Sequence, residues 1–156
     1  MRIEMAGMRT ATEKSALKRR MLNACITKQQ SLIADFKKRI DVLLVTEGYE
    51  LSHSSIKMDE ARGLADALQF AEDEMKQLWF LQLFPDKVIT RVEQGAVVVT
   101  DSATYYISVS IDQFKINAEN YIGLSVHSPL YLAMKGKTVG EKFMFGGREY
   151  GITDLF

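Results

Sequence analysis

The 156 residues contain one cysteine and two prolines. Cys25 alone cannot close an internal disulfide, which favours a reducing compartment. Only Pro85 and Pro129 can interrupt a helix through a missing N–H, so long uninterrupted helices are open to most of the chain. No apolar run reaches about 18 residues, so no membrane-spanning helix is expected. The basic stretch up to Arg20 lacks the apolar segment of a secretory signal, and a cytoplasmic protein is expected. His53 and His127 are the only histidines, and neither has a second His or Cys close by, which argues against a metal site of the chain's own. A glycine-rich phosphate loop, a nucleophile elbow and a His–carboxylate pair are all missing, so the sequence does not describe a free-standing enzyme.

What is present suffices for a core: 47% hydrophobic residues beside 26% charged ones. The net charge is zero, but it is distributed in blocks. Residues 1–40 carry ten Lys/Arg against three Asp/Glu, residues 41–75 carry two against nine, and the remainder carries eight of each. A basic block followed by an acidic block says more than their sum. Lys14, Lys18, Arg19 and Arg20 lack the interleaved aromatics of a nucleic-acid platform and are expected to be a solvated helix start.

Between Glu13 and Thr46 there is neither Gly nor Pro. Leu22, Cys25, Gln29, Leu32, Phe36, Ile40 and Leu43 recur in steps of three and four, the stripe of a helix offering one face to a partner. Gly48 and the Ser52–Ser55 cluster interrupt it. A second stripe follows at Ala61, Leu64, Leu68, Ala71, Met75, Leu78 and Gln82, and Pro85 ends it. The spacing predicts helices over 14–46 and 56–83, paired as an antiparallel hairpin. Residues 1–13 are expected to be a flexible tail, 14–84 the hairpin with an acidic tip, and 85–156 a second domain.

Beyond Pro85 the period falls to two. Val88–Val92, Ala96–Thr100, Thr104–Val109, Phe114–Ala118 and Tyr121–Val126 predict strands, with turns at Gln94-Gly95, Asp101-Ser102 and Glu119-Asn120. Ser128 as cap and Pro129 at the first position predict a short helix to about Lys135. Lys142–Phe145, Gly146-Gly147 and Arg148–Asp154 predict a closing hairpin. The expected class is α+β: a helical hairpin of coiled-coil type, then a small antiparallel β domain with one short helix. Trp79, Phe80 and Phe84 are expected to form an interdomain core.

Ser128-Pro129-Leu130, the run Gly136-Lys137-Thr138-Val139-Gly140-Glu141 and the ending Arg148-Glu149-Tyr150-Gly151-Ile152 resemble the C-terminal domain of the Gre-type transcript cleavage factors. The order of hairpin and β domain is also similar to that family. The resemblance implies an FKBP-like β domain that docks on the rim of bacterial RNA polymerase, with the hairpin entering the secondary channel. RNA is then reached only through the polymerase. It also implies that tip carboxylates help the polymerase hold a Mg²⁺ ion, since hard cations take oxygen ligands. On this alignment Asp59 and Glu60, with Glu47 and Glu50, are the candidate tip acids, and His127, Ser128 and Pro129 the docking loop. Two departures stand out. Arg62 takes the place of the second tip acid, so weak or absent stimulation of cleavage is expected; His127 takes that of an acid before Ser-Pro, and a neutral imidazole cannot make a carboxylate's charge-assisted docking contact. Two other readings are an FKBP-like peptidyl-prolyl isomerase and a coiled-coil adaptor; fold alone confers neither activity.

Overall fold

A computed structural model describes residues 9–47 and 55–156. The chain is α+β, a helical hairpin followed by a six-stranded, mostly antiparallel sheet. It divides into two compact units, one made of the chain up to Cys25 together with Phe80–Phe156, the other of Ile26–Trp79.

Helix α1 spans Ala11–Glu47. Its start is fixed by a capping box: the Glu13 N–H donates to Thr10 Oγ1 (3.2 Å) and the Thr10 N–H to Glu13 Oε2 (3.1 Å). Two of the backbone N–H groups at the helix start are thereby satisfied, and the helix takes in residues 11–13, which the sequence reading assigned to the tail. Helix α2 spans Ser55–Gln82. Its C-terminal end tightens into three-residue turns, with Leu83 N–H bonded to Phe80 O and Phe84 N–H to Leu81 O just before Pro85. Within the Ile26–Trp79 unit the two stripes face one another. Ala71, Met75 and Leu78 are buried, and Gln29, also buried, donates from Nε2 to Ala71 O (2.9 Å). Lys37 pairs with Glu72 at 3.7 Å. Leu32, read as part of the stripe, is exposed instead.

The sheet comprises β1 (Val97–Thr100), β2 (Thr104–Ser108), β3 (Ile111–Ile116), β4 (Glu119–Ser125), β5 (Lys142–Phe145) and β6 (Arg148–Leu155) in the order β3-β4-β2-β1-β6-β5. Four neighbour pairs are antiparallel; β2 and β4 are parallel, because β3 passes to the outside of β4. Helix α3 (Pro129–Met134) joins β4 to β5. Alternation sends Val98, Tyr105, Ile107 and Leu124 to one face, where they pack with Tyr131 and Met134 of α3 and with Phe143, Ile152 and Leu155. The opposite face carries buried Val97, Tyr106, Phe114, Ile116 and Tyr121. Beside it lie the first turns of α1, tied down by Arg9–Glu119 (2.7 Å) and Lys14–Asp154 (3.0 Å) and contributing buried Leu17, Met21, Leu22 and Cys25. Part of the basic block is thus used inside the unit rather than solvated.

Three expectations fail locally. Val88–Val92 forms no strand: Val88 is 80% exposed, and the two backbone hydrogen bonds of Val92 go to Gly136 and Lys137 in the loop after α3. The β3–β4 turn is Asn117-Ala118, at φ 52° and 67°, while Glu119 and Asn120 pair in the ladder with Ile116 and Lys115. Both turn residues are left-handed, as a two-residue hairpin turn of the mirror type requires. Trp79, Phe80 and Phe84 are 52%, 53% and 55% exposed, so they form no core.

Candidate functional site

The loop between β4 and α3 is built from its own hydrogen bonds. Ser125 O accepts from the Ser128 N–H (3.0 Å), and Ser125 Oγ accepts from the His127 N–H (3.1 Å). Ser128, at φ −72° and ψ 144°, caps α3: its Oγ accepts from the Tyr131 N–H at 3.1 Å and its carbonyl from the Leu132 N–H. Pro129 fills the first helical position, where a missing N–H costs nothing. The sequence-predicted loop therefore sorts by role. Ser128 spends its hydroxyl on the cap, whereas His127 and Pro129 point to solvent.

Leu132, three residues after Pro129 and on the same helical side, is 60% exposed, while Tyr131 and Met134 are buried. Leu132 is not among the docking residues that the resemblance implies. The signal was available in the spacing, because residues 131 and 134 claim the inner face and leave 129 and 132 outside.

The adjoining turn explains its own motif. Gly136 and Gly140 sit at φ 78° and 89°, where a side chain would be strained. The Glu141 carboxylate closes the loop by accepting from the Thr138 N–H (2.6 Å) and hydroxyl (3.2 Å). The backbone bond from Thr138, and then its hydroxyl, hold Glu141 below the usual carboxylate range. On the far side, Gly146 and Gly147 (φ 59° and 76°) turn β5 into β6.

At the start of α2, Asp59 and Glu60 are exposed. Arg62 Nη1 stands 4.0 Å from Asp59 Oδ1, one turn on. Both side chains are largely exposed, so this is a loose surface pair. Glu47 is the last residue of α1; its side chain, like Glu50 and His53, lies outside the described residues. Among the described residues no cluster of three or more His, Cys, Asp or Glu is arranged to hold a metal. The acidic block is also partly neutralised locally, Glu72 by Lys37 and Asp73 by Lys76 (3.2 Å).

No described helix is long and apolar enough to cross a membrane. No protein-family model matches the chain, and no curated protein does. Among solved structures, the GreA factor homolog 1 (Gfh1) protein of Thermus thermophilus is similar at 15% identity, over 84% of this chain and 94% of that one, with a TM-score of 0.34, a likeness too loose to carry an argument.

Proposed function

We propose that this chain is a Gre-like regulator of transcription elongation that binds bacterial RNA polymerase in the cytoplasm and reaches RNA only through it. In this reading the β domain docks at the rim of the secondary channel through His127, Pro129 and Leu132. The acidic end of the hairpin, with Asp59 and Glu60, enters the channel. The observation that carries the proposal is the local fold of residues 128–152. Several motif residues behind the resemblance have structural tasks there: Ser128 as cap, Pro129 at the first helical position, Gly136 and Gly140 in left-handed turns, Glu141 as loop clasp. That arrangement leaves a small exposed patch of aromatic, imino and aliphatic surface suited to docking.

The chain supplies no catalytic residue in this reading, and any cleavage is the polymerase's own. Arg62 beside Asp59 weakens the tip as a cation ligand, so the protein occupies the channel while stimulating cleavage weakly or not at all. Two measurements test this. Co-purification with RNA polymerase core enzyme should succeed with the wild-type chain, and failure to associate at micromolar concentration would end the proposal. A stalled, backtracked complex with Mg²⁺ should release few short 3′ RNA fragments when the protein is added. Robust release abolished by Asp59→Ala would show that the tip is competent despite Arg62.

A further inference from the structure

The sheet face beside α1 is not completely filled. A cavity of about 330 Å³ opens there, walled by Leu22 of α1, by Phe80 at the end of α2, and by Phe84 and Ile89 of the segment leading to β1. The rings of Phe80 and Phe84 lie 5.3 Å apart at a tilt of 59°, and both are about half exposed, so one aromatic wall is reachable from solvent. The size falls within the range of small-molecule pockets.

The charges around the cavity are unevenly matched. Arg19 pairs with Asp86 (3.3 Å), and Lys87 pairs with Glu93 (3.3 Å). Lys18, half-buried in the same wall, has no bonded acceptor among the described residues; Glu93 reaches it only through its field. Burial pushes the Lys18 amine below its ordinary value, and the neighbouring Lys87 adds to the effect against the opposing fields of Glu93 and Asp86. A cation kept partly out of water without an acceptor is costly, and an anion delivered to it on an apolar carrier would relieve that cost.

We infer that this cavity binds an aryl carboxylate, its flat apolar body against Leu22, Phe80 and Phe84 and its carboxylate accepting hydrogen bonds from the Lys18 amine. A neutral alcohol of the same shape would offer the amine only an uncharged acceptor, and an anion without an apolar body would leave the aromatic wall wet. The inference shares no residue with the docking loop and does not depend on polymerase binding.

Calorimetric titration of the intact chain with naphthoate and with uncharged naphthylmethanol tests it. One naphthoate should bind per chain, about tenfold or more tighter than the alcohol, the worth of a charge-assisted hydrogen bond. Lys18→Gln should erase the preference, Lys18→Arg should keep it, and Phe84→Ser should weaken both ligands. Arg19→Gln, which removes an already paired charge, should leave the preference intact. Circular dichroism establishes that each variant is folded. No binding to the wild-type chain, equal affinity for the two ligands, or a preference that survives Lys18→Gln would overturn the assignment. So would an equal loss in Arg19→Gln, which would reduce the effect to general positive charge.

Discussion

Replacing Pro129 and Leu132 together by aspartate separates docking from folding. Pro129→Asp gives up the pre-set φ of the first helical residue, a loss of about 0.4–1 kcal/mol. An acid in the first turn of α3 returns about 0.3–1 kcal/mol through the helix dipole, so the exchange is close to neutral. Leu132 is 60% exposed, and its replacement costs mainly helix propensity, about 0.5–0.7 kcal/mol. Set against a typical stability of about 5–15 kcal/mol, the double variant stays folded.

Docking should suffer far more. Burying the exposed part of a leucine in an interface contributes on the order of 1–2 kcal/mol. With a comparable share from Pro129, the loss is about 3 kcal/mol, or more than about a hundredfold in Kd. The assay is equilibrium binding of labelled protein to RNA polymerase core enzyme, with circular dichroism as the folding control. Affinity within about threefold of wild type, in a folded double variant, would refute the reasoning and move the interface elsewhere. Ser128→Ala is the complementary control. It removes the cap on the Tyr131 N–H, should cost about 1 kcal/mol of stability, and should leave binding nearly unchanged in the folded fraction.

Further outcomes follow from other sites. Ala118→Gly relieves a left-handed non-glycine residue at φ 67° and should raise stability by up to about 1 kcal/mol in urea unfolding; a lower midpoint would contradict the turn assignment. Glu119 accepts from Tyr121 Oη (2.7 Å) and pairs with Arg9, and the Tyr121 bond first, then Arg9, holds it below the usual range. A depressed carboxylate contributes stability above its unfolded value and loses it as pH falls through the folded value, so acid melting should be shallower in Glu119→Gln. Burial, then the bond to Glu119, pushes Tyr121 up to about 12, so stability should decline as pH rises from about 10 toward that value, and Tyr121→Phe should flatten this alkaline limb. Gln29→Leu removes the buried hydrogen bond to Ala71 O and should destabilise the helix pair by about 1 kcal/mol; faster hydrogen exchange in residues 26–79 would register it, and slower exchange would contradict it.

The two long helices were legible because a stripe of period 3.6 and a terminating proline are local signals. The hairpin at Gly146-Gly147 and the capped start of α3 were legible for the same reason. The capping box at Thr10 and Glu13 was equally local and went unread. Asn117-Ala118 carries a weaker turn signal than Asn-Gly, which is how the turn came to be placed two residues late. Val88–Val92 has the composition of a strand but no partner, and pairing is not written in composition. The parallel alignment of β2 with β4 is likewise a property of how β3 is routed. Exposure of Phe80, Phe84 and Leu132 depends on what the rest of the chain covers, and hydrophobicity alone reports only what could be covered. At the tip, the proximity of Arg62 to Asp59 was readable, since i and i+3 are neighbours on a helix. The setting of Lys18 was not, because its neighbours in residues 80–95 and at Tyr106 are distant in the chain.

Strand β1 offers a last consequence, one of timing. Its Val97-Val98-Val99 run is paired on one side with β2, close in sequence, and on the other with β6, where Val98 meets Leu155. During synthesis the first pairing can form as soon as β2 leaves the ribosome, but the second must wait for nearly all of the following chain. Through that interval a three-valine edge has backbone groups paired only with water and no charge to discourage a neighbouring strand. A shortened product ending before Arg148 would keep that edge open, so β6 covers an edge as well as completing the sheet.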